Sequence, residues 1–151
     1  MTIDWKYKHF EQLSPFELYD ALRLRSEVFV LEQDCVFLDL DTLDTDCFHL
    51  LGYYDNKLIA YSRIVPGGTV YEEASIGRVV TSPSIRKTGA GKQLMQQSID
   101  RLYETFGKVS IKIGAQFYLK NFYQSFGFTQ ISEIYLEDGI EHIYMMKNIS
   151  S

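Results

Sequence analysis

Arg86-Lys87-Thr88-Gly89-Ala90-Gly91 lies between a β-branched run, Ile76-Gly77-Arg78-Val79-Val80-Thr81, and an amphipathic segment that begins at Lys92. A strand, a tight glycine turn and a helix in that order decide the architecture. Gly89 and Gly91 let the backbone bend sharply and approach a ligand, while the first N–H groups of the following helix lack intrahelical acceptors. With the helix dipole, those donors make a cradle for an anion such as a pyrophosphate. The helix is read from Leu94, Met95, Ser98, Leu102 and Phe106 at helical spacing, with Gly107 as its stop. Lys92, Gln96, Asp100 and Glu104 form its polar face. The Walker pattern is excluded because Gln93 follows Lys92, and the dinucleotide fingerprint because Leu94 stands where a third glycine is needed. By themselves the two glycines are equally a plain strand-to-helix turn.

Outward from this turn, Val109-Ser110-Ile111-Lys112-Ile113-Gly114-Ala115 reads as the next strand, followed by Asn121-Phe122-Tyr123-Gln124-Ser125-Phe126-Gly127-Phe128. Upstream stand Leu24-Arg25, Val28-Phe29, Glu32-Gln33, the acidic run Asp39, Asp41 and Asp44, and His49. Glu137-Asp138-Gly139-Ile140 and His142 close the series. Arg-x-x-Gly-x-Gly after a strand resembles motif A of the GNAT acyl-CoA-dependent N-acyltransferases, and the segment around Tyr123 resembles that superfamily's Phe-Tyr-x-x-x-Gly-Phe. The N-terminal segments resemble its ElaA-type subgroup. One position departs: Gln116 stands where many GNAT proteins carry Asn.

The resemblance covers nearly the whole chain and implies an α/β (α+β) fold, a mixed, strongly twisted sheet flanked by helices. Its fourth and fifth strands would run parallel and splay into a V-shaped cleft. It implies acetyl-CoA as co-substrate, with Arg86, Lys87, Thr88, Gly89, Ala90, Gly91 and Lys92 around the pyrophosphate, Val79, Val80 and Thr81 along the pantetheine, and Gln116 and Asn121 completing the set. Tyr123 would lie near the thioester sulfur. No metal is expected.

At 151 residues the chain makes one domain, 1–151, able to remove roughly two thirds of its unfolded surface from water. A net charge of −5 argues against nucleic acid, because basic residues are concentrated only at Arg86, Lys87 and Lys92. The apolar runs are too short to span a membrane, and Met1-Thr2-Ile3-Asp4-Trp5-Lys6 lacks a signal-peptide core, which places the chain in the cytoplasm. Cys35 and Cys47 have no zinc-site spacing. Aromatic residues near the C-terminal strands either join the core or form the edge of a homodimer.

Ser14 and Glu17 make a capping box, with Pro15 at the first helical position and Leu13 and Leu18 as a staple. From there Leu18, Ala21, Leu22, Arg25, Val28, Phe29 and Glu32 fall on one helical stripe, so Arg25 and Glu32 are expected side by side at the edge of a cavity. Phe48–Tyr54 and Leu58–Val65 form a hairpin around Asp55-Asn56-Lys57. Two last strands are expected near Thr129–Tyr135 and Ile140–Met146.

Acyl transfer to an amine needs a base, an oxyanion site and a proton for the leaving thiolate. Tyr123 is the expected acid, since a phenol with a reference pKa of about 10 can protonate a thiolate near 8.5. The Val79 or Val80 N–H is the expected oxyanion donor. Glu32 is the first choice of base, with His49, His142 and a water chain as alternatives. Arg25, Glu32, Arg78 and His142 are expected to contact the acceptor, an amine of a small molecule or peptide. The aspartates read as a solvated loop or substrate rim, because Leu43 and Asp44 stand where a calcium loop needs a ligand and a glycine. The competing functions are a non-catalytic acyl-CoA-binding module and transfer of a longer acyl chain.

Overall fold

Asp55 and Asn56 both take positive φ, 52° and 60°, the conformation that lets a two-residue turn follow the twist of its strands. That turn joins β2 (Phe48–Tyr54) to β3 (Lys57–Val65), the latter buried along nearly its whole length. A computed structural model describes residues 1–149. Ser150 and Ser151, the end of the expected 1–151 domain, lie outside the described residues. β1 (Asp4–His9) and β4 (Ser75–Thr81) flank the hairpin in an antiparallel sheet ordered β1-β2-β3-β4. A second sheet is built on β8 (Ile140–Lys147), which pairs with β5 (Ile111–Gln116) on one side and with β6 (Thr129–Gln130) and β7 (Tyr135–Glu137) on the other.

The sheets join where β4 and β5 begin. Ala74 and Ile111 bridge in parallel, and the Lys112 N–H donates to the Ala74 carbonyl at 3.0 Å. Beyond that point the two strands belong to separate sheets, so the V-shaped opening expected between the fourth and fifth strands is present.

α1 (Pro15–Arg25) starts with the expected capping box: Ser14 Oγ accepts from the Glu17 N–H, and the Glu17 carboxylate accepts from the Ser14 N–H. α2 (Ala90–Phe106) begins two residues earlier than Lys92, capped by Gly89 at φ 88°, and stops at Gly107 at φ 84°. Leu94, Met95 and Leu102 of α2 pack on Ile64 and Ile76 of the first sheet and Ile113 and Met145 of the second. On the opposite face Ala21, Leu24 and Val28 cover Leu51, Tyr61 and Val80. Each large side chain so buried contributes about 1.5–3 kcal/mol. No helix among the described residues is long and apolar enough to cross a membrane.

Two expectations are corrected. The helical stripe does not continue as an α-helix past Arg25; Ser26–Glu32 is a π-helical turn. Its wider i→i+5 turns break the seven-residue return to one side, so Arg25 and Glu32 point apart. The strand expected over Thr129–Tyr135 is split into β6 and β7. Residues 131–134 face only Ile143 and Tyr144, and the Ser132 hydroxyl takes the Tyr144 N–H at 2.9 Å in place of a backbone carbonyl.

Candidate active site

The parting of β4 and β5 opens a cleft of about 990 Å³. At one end stand Arg86, Lys87 and Gly91, before the first turn of α2. The Gln93 N–H is bonded to the Gly89 carbonyl at 3.1 Å, so the amides ahead of it lack intrahelical acceptors. A Cβ placed on Gly91 would meet no protein atom within 4 Å, so the space before the helix is free for a bulky anion. The Thr88 hydroxyl donates to the Ile85 carbonyl and holds the turn. Ala90 is buried in the core, and Thr88, Gly89, Ala90, Lys92 and Asn121 do not line the cleft; Val79, Val80, Thr81, Arg86, Lys87, Gly91 and Gln116 do. An acyl-CoA fits this arrangement, with its phosphates at α2 and its thioester arm between the strands.

β4 carries a bulge in the wall of the cleft. Val80 faces Tyr61 and Gly77 faces Arg63, leaving Ser62 alone opposite Arg78 and Val79. Arg78 takes φ 50°, a left-handed conformation costly for a side chain of this size. Its guanidinium holds it there: Nε donates to Asp39 Oδ1 at 2.8 Å and a terminal nitrogen to the Asp39 carbonyl at 2.9 Å. The bulge takes Arg78 and Val79 out of the regular ladder, and both line the cleft.

The acidic run is not a solvated rim. Arg25 donates to Asp39 and Asp44, each at 2.8 Å, and Arg63 donates through a fork to both oxygens of Asp41 at 2.8 Å and to Asp44 at 3.0 Å. Three guanidiniums thus meet three carboxylates, which is how charge this deep is tolerated. Arg25 is 1% exposed and does not line the cleft, which corrects its expected contact with the acceptor. His49 is equally enclosed: Nε2 donates to the Asp44 carbonyl at 2.9 Å and Nδ1 accepts from the Tyr61 hydroxyl at 2.7 Å. Burial pushes its imidazole below the ordinary value, against the pull of Asp44. It braces the network and is unavailable as a base. Cys47 is buried and its thiol is pushed up to about 11, above all by burial.

Tyr123 lines the cleft and is almost fully buried beside Phe122 and Phe128. Burial, then the neighbouring Tyr118, raises its pKa, so the phenol keeps its proton at neutral pH. Glu32 also lines the cleft, but its two oxygens accept from Arg86 at 2.8 and 2.5 Å rather than meeting Arg25. His142 lines the cleft from β8: Nδ1 donates to the Ile140 carbonyl at 2.8 Å, which fixes the proton there and leaves Nε2 as the acceptor nitrogen, 3.5 Å from Glu137 Oε2. Tyr135 stacks on the same ring.

Several contacts were not read from the sequence. Gln33 and Gln116 exchange amide bonds at 3.3 and 3.4 Å across the cleft, and the Cys35 thiol donates to the Asp138 carbonyl at 3.4 Å. Arg63 had a signal, a lone charge in the apolar run Leu58–Val65 that had to find buried partners. Tyr71 had none; the loop before β4 carries it to Tyr144, their rings 5.8 Å apart.

The Acetyltransferase (GNAT) domain family matches residues 40–149. Protein ElaA of Escherichia coli is 40% identical over 149 residues, 97% of this chain and 97% of its own. The crystal structure of Escherichia coli ElaA superposes with a TM-score of 0.91 over 97% of this chain and 100% of its own. An acyl-CoA N-acyltransferase from Pseudomonas aeruginosa, 38% identical, superposes with a TM-score of 0.92 over 97% of this chain and 99% of that one. A cleft shaped for an acyl thioester and an amine is what this kinship predicts, and the chain belongs to the GNAT acetyltransferases, as an acyltransferase.

Proposed function

We propose that the enzyme transfers an acetyl group from acetyl-CoA directly to an amine of a small molecule or peptide, in the cytoplasm. The observation that carries the reading is one continuous cleft that joins the open helix N-terminus of α2 to Tyr123 and His142. Acetyl-CoA supplies an acetyl thioester, whose C–S bond breaks as the N–C bond to the amine forms. The α2 amides, Arg86 and Lys87 take the phosphates, which requires Arg86 to leave Glu32. The Val79 N–H at the bulge faces the developing oxyanion. His142 Nε2 takes the proton released by the amine, with Glu137 stabilising the imidazolium, and Tyr123 gives its phenolic proton to the departing thiolate. Exchange of one proton through solvent restores both side chains. His142 replaces Glu32 as the proposed base because the Glu32 carboxylate stands against Arg86, at the turn proposed for the phosphates rather than for the reacting amine.

Calorimetric titration with acetyl-CoA and CoA tests the cradle. Gly91→Val should weaken binding about tenfold or more, because the new side chain enters open space and meets only the ligand. Tyr123→Phe should lower kcat about a hundredfold or more while acetyl-CoA affinity stays within about twofold. Tight CoA binding without thiol release over a broad amine panel would favour the non-catalytic binding module.

A further inference from the structure

Eight side chains of formal charge line the cleft, and five of them are engaged within the protein. Glu32 pairs with Arg86, and Asp41 holds Arg63 and Arg78. The remaining three are not distributed evenly. Lys87 stands at the turn before α2, whereas Glu137 and Asp138 stand together at the turn from β7 to β8, on the second sheet. Glu137 has His142 as its ionic partner, and the Asp138 carboxylate has none among the described residues. What is left over is therefore a cation at the turn proposed for the phosphates and two acids on the wall that carries His142, the proposed base.

The lining of the cleft is otherwise largely apolar and aromatic. Phe37, Leu38, Val70 and Ile140 belong to it, and Leu38 is 78% exposed and Val70 46% exposed. The Tyr71 and Tyr135 hydroxyls converge over Gly114, where a Cβ would lie 3.2 and 2.9 Å from them. The backbone of β5 is thus bare at this point so that two phenols can close over it.

We infer that the acceptor is a hydrophobic monoamine, an alkyl- or arylalkylamine without a carboxylate, whose ammonium enters between His142 and Glu137 while its body lies against Phe37, Leu38 and Val70. The inference rests on the acetyltransferase reading and names the substrate class of the same site. A carboxylate on the acceptor would lie near two acids with no cation to receive it. Arg63 and Arg78 are held by Asp41 and Asp39, and the unpaired Arg63 Nε–H is closed off from solvent. Lys112 is held 4.8 Å from both the Tyr71 and Tyr144 rings and does not line the cleft. A polyamine is disfavoured by the apolar lining: with one ammonium at Glu137, its further charges would be desolvated against side chains such as Phe37 and Val70.

Phenethylamine and phenylalanine differ by a carboxylate, and spermidine adds charge without apolar bulk. The test compares them by thiol release from acetyl-CoA and by calorimetric titration into the CoA-saturated protein. Phenethylamine should exceed both in kcat/KM by about tenfold or more. Glu137→Gln should weaken its calorimetric binding about two- to fivefold with CoA affinity unchanged. Preference for phenylalanine or spermidine would overturn the inference and leave acetyl transfer standing. Absence of phenethylamine binding and turnover in a protein that binds acetyl-CoA would also overturn it, and a broader amine panel would then judge acetyl transfer itself. Failure to bind acetyl-CoA at all would instead remove the reading beneath it.

Discussion

Arg78 joins two tasks in one residue. Its left-handed backbone makes the β4 bulge that exposes Val79, and its guanidinium, bound to Asp39, holds that conformation. Glu32 acts in the opposite sense, since its carboxylate occupies the guanidinium of Arg86 that a phosphate would need. Both groups of that pair are substantially exposed, 42% and 37%, so the contact is worth less than about 1 kcal/mol. Glu32→Gln should accordingly tighten CoA binding by about two- to fivefold, read by calorimetry. Weaker binding by the variant would mean that Glu32 positions the cradle instead of competing for it. At this scale the place of Tyr123 in the cleft wall was legible, because its position in the Phe-Tyr-x-x-x-Gly-Phe segment pointed to it. The partner of Glu32 was not, because Arg86 lies 54 residues away in the chain and only folding brings it near.

Among the elements, the π-helical turn Ser26–Glu32 and the loop after it decide the site's shape. Gln33 and Cys35 are carried by this segment to Gln116 and Asp138, so it reaches across the cleft to the second sheet. The loop that follows is anchored by charge rather than by apolar burial, through Asp39, Asp41 and Asp44 to guanidiniums on α1, β3 and β4. Arg63→Ala leaves Asp41 with only its 3.3 Å contact to Arg78 and Asp44 with only Arg25, and should cost about 3–5 kcal/mol in urea unfolding, with Arg63→Lys intermediate because it keeps the charge but loses the fork. An unchanged midpoint in Arg63→Ala would contradict a structural role for the network. A helical stripe could be read from residue spacing, but spacing does not reveal a change in the number of residues per turn. The interruption between β6 and β7 was hidden for a similar reason: it depends on the Ser132 hydroxyl reaching the strand opposite.

For the whole molecule, the buried charge network predicts how stability responds to acid. Burial opposes ionisation of Asp41, but Arg63, the Leu43 N–H and Arg78 overcome it and hold the carboxyl at about 2, below its ordinary 3.8. A depressed folded value means that this stabilisation is complete above about pH 4 and is lost as pH falls through about 2. His49, lowered by burial, adds a loss that sets in as pH falls below the ordinary imidazole value of 6.5. Urea midpoints should therefore decline from neutral pH toward pH 2, and Asp41→Asn should flatten the lowest part of that curve while lowering stability at neutral pH. A wild-type midpoint independent of pH across this range would count against the network. The sequence by itself determined the capped first helix, the hairpin, the strand-glycine-helix turn and the family, because these depend on contacts between near neighbours or on motifs in order. Only the tertiary structure decided that the aspartates brace the fold, that Arg25 is enclosed, and that Lys87, at the turn before α2, and the acids Glu137 and Asp138, at the turn from β7 to β8, line one cleft. Pairing between distant charged residues depends on which side chains the chain's path brings within reach, and that is a property of the assembled sheets rather than of any segment.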